Sequence, residues 1–238
     1  MFSLLAFGVL MILGNWQMAR LAWKEALIDR VETRLQAPQI MLPGAGVWST
    51  LARDDFDYQP VRLTGRFDHD GEIHWYAGTF EGRTGVQVIT PFLLEDGGVV
   101  LVNRGFVPDM LRSPEQRLQG QIGGVVSVSG LMRWPSERSR FDAPDNPEQG
   151  LFFVKDLDAM SASAGLVTAP FFVELDAKSS VAGGPAGGQT RVSFSNRHLE
   201  YALTWYGLAV TLVIIFILWQ VVPSLGKRRD DGTAPMDE

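Results

Sequence analysis

The sequence contains no cysteine. That absence excludes disulfides, thiol–disulfide exchange and every carrier chemistry that needs a thiolate, thiol-ligated copper delivery included. Positive charge is also scarce: 21 Lys and Arg against 27 Asp and Glu leave a net charge of −6, which argues against nucleic acid as a partner. No nucleophile elbow, phosphate-cradling glycine loop or zinc-protease helix motif occurs, and no repeat recurs at solenoid periods. The averages, 46% hydrophobic and 20% charged residues, are those of an ordinary folded protein, so the distribution along the chain has to decide its class.

Charge is missing altogether from Ala202 to Val222. At about 1.5 Å per residue this run crosses the roughly 30 Å of a hydrocarbon core, and it reads as a transmembrane helix. The first 19 residues are also uncharged and predict a second span. A cleaved signal peptide is the competing explanation, but it calls for a basic start and a small-x-small cleavage site, and neither is seen. Instead the run passes into NWQMARLAWKEALIDRVETRLQ, where apolar and long polar residues recur at helical spacing.

The expected organisation is a first transmembrane helix over 1–23 continuing as an amphipathic helix to about 36, a mainly antiparallel β domain over 37–178, a Gly-rich linker over 179–197, a second transmembrane helix over 198–222 and a tail over 223–238. Lys227, Arg228 and Arg229 follow the second span and favour the cytoplasm by the positive-inside rule. Arg20 and Lys24 argue more weakly the other way, because carboxylates interleave with the basic residues after them. The expectation is a multi-pass protein of a bacterial inner membrane with both termini cytoplasmic and the central domain periplasmic.

Between the spans the pattern is mostly strand. VRLTGRFD alternates, EIHWYAG follows a turn, and GVQVITPFLLEDGGVVLVNRGFVP predicts a hairpin turning at Asp96, Gly97 and Gly98. GGVVSVSGLMRW and FFVEL add two strands; DLDAMSASAG predicts a short helix capped by Asp156 and ended by Gly165. The fold class is therefore two transmembrane helices flanking an α+β extramembrane domain dominated by an antiparallel sheet or partly closed barrel. SSVAGGPAGGQT, 179–190, has flexible-linker composition.

Three constellations carry possible chemistry. DHDGEIH, Asp68–His74, has two histidines among carboxylates, yet Asp70 and Gly71 mark a turn between strands, and solvent-facing polar residues are the favoured reading over a metal site. Arg104, at a strand end beside Asn103, has the planar fork that suits a carboxylate such as a cofactor propionate. A local salt bridge or bonds to loop carbonyls are the commoner use and are favoured here. The third is SNRHLEYALTWYGLAV, Ser195–Val210. At 100 degrees per residue His198, Tyr201, Trp205, Ala209 and Leu212 share a helix face, and Trp16 and Gln17 fall at the same outer level of the first span. Such a slot, apolar below and with an imidazole at its rim, suits haem, which takes an axial nitrogen ligand and aromatic walls. The plainer reading, an interfacial aromatic belt with a solvated His198, is the one that composition and spacing favour.

LGNWQMARLAWKEALI, GRFDH, VNRGFVP and NRHLEYALTWYGLA together resemble the Surfeit locus protein family, over nearly the whole chain and in the family's order. The resemblance implies a membrane factor for cytochrome c oxidase biogenesis that is not an enzyme, with haem a as its transient cofactor. It implies the large catalytic subunit of the oxidase as partner, with enzymes of haem a synthesis as further partners and membrane lipid around the helices. It makes His198 the axial ligand of the haem iron; joined to the helix-face reading, the expected site has Trp16, Tyr201 and Trp205 as walls, with Arg104 and Arg20 as the weaker candidates for polar partners. The chain departs from the family where Arg197 replaces a common second asparagine, and where GLFFVKD has phenylalanines in place of a frequent tryptophan. The rival reading is a cofactor-free chaperone that grips an oxidase intermediate near Phe152 and Phe153.

Overall fold

The computed structural model describes residues 2–136, 138–190 and 196–230. Parts of the expected linker (191–195) and tail (231–238) lie outside the described residues. The chain divides into two bodies, a helix pair (residues 1–30 and 193–238) and a β domain (31–192).

In the first body, α1 (Phe2–Leu35) and α4 (His198–Asp230) are both long and apolar enough to cross a membrane. Their buried positions follow a seam of about 3.5 residues per turn, the period of left-handed helix packing. On α1 the seam includes Gly14 and Gln17, and on α4 it includes His198, Ala202 and Ala209. Small residues there allow close approach where lipid supplies no hydrophobic drive. Thr204 and Thr211 donate their hydroxyls to the carbonyl oxygens four residues earlier, so the helix itself satisfies them, as an apolar surround requires.

The second body is an α+β domain. Among the described residues it has eight strands: β1 (Ile40–Met41), β2 (Pro60–Phe67), β3 (Ile73–Phe80), β4 (Arg83–Leu94), β5 (Val99–Pro108), β6 (Val126–Arg133), β7 (Leu151–Phe152) and β8 (Phe172–Leu175). Two short helices complete it: a single turn, α2 (Arg53–Phe56), and α3 (Leu157–Ala164). The sheet order is β1-β2-β6-β8-β5-β4-β3-β7, and an extra β2–β4 pairing closes β2, β6, β8, β5 and β4 into a five-stranded barrel. The closure is complete and the barrel is mixed, because β8 runs parallel to β5. This bears out the barrel alternative of the expected antiparallel sheet or partly closed barrel, with one parallel pairing that hairpin spacing does not predict.

Each strand alternates as a barrel wall must. On β2, Val61, Leu63 and Phe67 face a core shared with Val128 and Met132 of β6, Phe92 of β4, Val100 and Val102 of β5, and Val173 of β8. β5 is buried on both sides: Leu101 faces a second cluster with Ile89, Phe152, Phe172, and Leu157 and Met160 of α3. α3 is bounded as its sequence predicts, with the Asp156 side chain accepting from Ala159 N and Gly165 left-handed at its end. The barrel closes at Gly65, which pairs with Val126 of β6 and Leu94 of β4. A Cβ there would lie 2.1 Å from the Leu93 carbonyl oxygen, so only glycine permits β2 to change partners.

The glycine-rich stretch 179–190 differs from the flexible linker expected. It is a packed strap: Phe106 and Ala186 exchange backbone hydrogen bonds of 2.9 Å, and Gly188 N donates to Leu175 O at 2.8 Å. Glycine serves close backbone approach here rather than freedom. Facing the strap, Gly105 has φ +111, and a Cβ on it would sit 1.9 Å from Ala186 O.

The loop between β5 and β6 is held by buried arginines. Arg117 grips Glu72 through both terminal nitrogens and donates through Nε to Leu111 O at 3.0 Å. Burial by itself raises the Glu72 pKa, but hydrogen bonds from His74 and Arg117 and the charge of Arg117 outweigh it, leaving the carboxyl below the ordinary glutamate value of 4.5.

Two outcomes follow. Gly105→Ala should destabilise the β domain by about 3 kcal/mol or more, through left-handed strain and collision with the strap, read as a lowered thermal midpoint. Because the folded-state pKa of Glu72 is depressed, its contribution is complete above pH 4.5 and disappears as pH falls through the lower folded value. Glu72→Gln should cost about 3 kcal/mol at neutral pH and flatten this acid limb in a pH series of denaturant melts.

Candidate functional site

α1 brings Gln17 and α4 brings His198 to the seam of the helix pair. His198 is the first residue of α4, where its backbone N–H points to the Asn196 side-chain oxygen at 3.5 Å. The imidazole is half-buried, and its Nδ1 lies 2.8 Å from Gln17 Oε1. An amide oxygen can only accept, so Nδ1 carries the proton and the Nε2 lone pair is left for another partner. A second contact, Tyr206 Oη to Asn15 Oδ1 at 2.8 Å, lies alongside, because the tyrosine ring leans toward the start of its helix.

Seven residues after His198, and hence near the same helix face, Trp205 has its indole N–H buried without an acceptor. A donor orphaned in an apolar setting costs about 1–3 kcal/mol.

The other predicted residues fall as follows. Tyr201 and Trp16 are 49% and 57% exposed, on the outer surface of the pair, and Ala202 takes the facing position that helical arithmetic alone gives to Tyr201. Arg20 is exposed and lies over the Trp23 ring at 4.0 Å. Arg104 belongs to the β domain and is buried there: it donates to Gly120 O, lies 3.4 Å from His69 Nδ1 and stacks over Phe67 at 4.9 Å. Burial lowers its pKa to about 10, with Arg117 adding to the effect and Glu72 opposing it.

Asp68–His74 folds as the expected short turn, but Glu72 and His74 are not solvent-facing as expected: they are drawn inward by the buried Arg117, His74 Nε2 meets Glu72 Oε1 at 3.0 Å, and His69 meets Ile122 O at 3.0 Å. Among the described residues no group of three or more His, Asp or Glu side chains is placed to hold a metal ion. Phe152 is fully buried in the core, so it is unavailable as a surface grip. Gln17 is placed at the right level by the sequence but without its role toward His198, and Asn15 and Tyr206 escape motif reading, because polarity inside an otherwise apolar span is their only signal.

The SURF1 family model matches residues 4–210. Surfeit locus protein 1 of Rattus norvegicus is 41% identical over 218 residues, covering 85% of this chain and 68% of that protein. The Homo sapiens protein of the same name is 39% identical over 220 residues, covering 86% and 70%. A SURF1-like protein of Monosiga brevicollis is 36% identical over 236 residues, covering 94% and 87%. A family match across most of the chain, with relatives of this identity and coverage, leaves one conclusion: the chain belongs to the SURF1 family.

Proposed function

We propose that this protein is an assembly factor for a haem–copper terminal oxidase: it binds haem a transiently at the mouth of its helix pair and delivers it to the large catalytic subunit, with no catalysis of its own. The observation that carries the reading is the Gln17–His198 hydrogen bond. Metal-binding histidines commonly donate their second ring N–H to an oxygen, which fixes the tautomer and aims the ligating nitrogen. Gln17 does this for His198, and Nε2 is the nitrogen offered to iron.

The surroundings fit the same group. Trp205 supplies an aromatic wall and a buried donor without an acceptor, while Trp16 and Tyr201 add exposed aromatic surface at the rim. Arg20 is the cation proposed for the propionates. The engagement of Arg104 with Gly120 and His69 supports a structural role for it instead. Haem a so held supplies the redox centre of the recipient subunit. A carrier has to release its cargo, so one axial bond and a half-open rim suit it better than a closed pocket. In this reading both helices cross a bacterial inner membrane, both termini are cytoplasmic and the β domain is periplasmic.

Protein co-expressed with haem a synthesis should show Soret absorption that His198→Ala removes; an unchanged spectrum in that variant overturns the ligand assignment. Gln17→Leu should keep the helices, seen by circular dichroism, yet weaken haem a binding by about 10–100-fold in an optical titration.

A further inference from the structure

The β domain carries a cleft unrelated to the helix pair. Two adjoining cavities of about 270 and 330 Å³ share Trp75, Arg133, Lys155 and Glu174; Phe106 lines the first and Phe153 the second. Such volumes lie at the lower end of the range for small-molecule sites.

The polar groups are unequally matched. Glu174 has both oxygens engaged, one by Lys155 Nζ and the other by Thr190 Oγ1 at 2.6 Å. Burial raises its pKa, but the charge of Lys155 and these hydrogen bonds outweigh the burial, so it stays ionised. Lys155 Nζ also lies 4.2 Å from the centre of the Trp75 ring. Arg133 donates through Nη1 to Asp57 Oδ1 at 2.9 Å, but its buried Nε has no acceptor, and Glu174 Oε2 stands 4.0 Å away. Gln87 gives its oxygen to Asn103, which leaves its amide N–H groups as donors.

The first cavity has one more cationic than anionic side chain in its wall, whereas Asp142 balances the charges lining the second. The positioning is also maintained at some expense. Tyr58, whose ring lies 3.6 Å from the Arg133 guanidinium, has φ +68, a left-handed conformation that persists only where its surroundings enforce it.

We propose that this cleft binds a small amphipathic carboxylate, its apolar body against Trp75 and Phe106 and its carboxylate on the Arg133 guanidinium edge and Lys155, both of which line the cleft. Charge-assisted hydrogen bonds supply the selectivity and aromatic faces the affinity. The inference is independent of the haem reading, since it involves no residue of the helix pair.

The test uses the full-length protein in detergent micelles, with para-fluorobenzoate as probe and para-fluorobenzyl alcohol as its neutral counterpart, both followed by fluorine NMR. The carboxylate should show saturable line broadening that the alcohol lacks. It should weaken about tenfold in Arg133→Met and vanish in Gln189→Trp, whose indole fills the first cavity. Thermal unfolding reports whether each variant folds, and Gln189→Trp decides the matter if Arg133→Met does not. Absence of saturable binding, equal binding of the alcohol, or equal broadening in wild type and Gln189→Trp overturns the proposal.

Discussion

A hydrogen bond between Gln17 and His198, set in the seam of an otherwise apolar helix pair, fixes how the first body is put together. Apolar seams are tolerant of sliding, since one turn of displacement exchanges one set of small residues for another. A buried polar pair is not: a shift of about 5.4 Å would leave an amide and an imidazole unmatched in a low dielectric. The pair thus acts as a register pin, as a lone polar residue does in a coiled coil, and Tyr206 with Asn15 adds a second, more exposed polar contact between the same helices. The same bond selects which imidazole nitrogen is protonated, so register and chemistry rest on one contact.

The β domain depends on a comparable economy. β5 is covered on both faces, by the barrel interior and by the layer that includes α3. Gly65 of β2 and Gly105 of β5 itself give up side chains so that other backbone can approach. Polar groups collect around the loop after β5 and in the cleft beside Glu174, where each carboxylate is held by more than one donor. Buried charge of this kind does little for net stability but is costly to break, which makes both clusters rigid.

Much of this was legible in the sequence because it is periodic or punctuated. Uncharged runs announced the two helices, period-two alternation announced β2 and β6, Asp96-Gly97-Gly98 announced the β4–β5 hairpin, and Asp156 with Gly165 bounded α3. What stayed hidden is non-local. That β8 runs parallel to β5 depends on pairing across some seventy residues of chain, and no local signal encodes it. The strap was misjudged because glycine looks the same whether it serves flexibility or close approach. At the candidate haem site the histidine was visible, whereas its partner lies 181 residues away. Helical arithmetic groups residues into stripes without saying which stripe meets a neighbour, hence Tyr201 in place of Ala202.

β8 has only four residues, yet it bonds to both β5 and β6 and is the last strand of the ring to leave the ribosome. Until Phe172–Leu175 is in place, two long apolar strands present open edges, the form of exposed backbone most prone to pair with other chains. A polypeptide cut short between residues 134 and 171 is therefore not a weaker version of this domain but an unclosed sheet. Wherever in that interval the chain ends, the same two edges stay open.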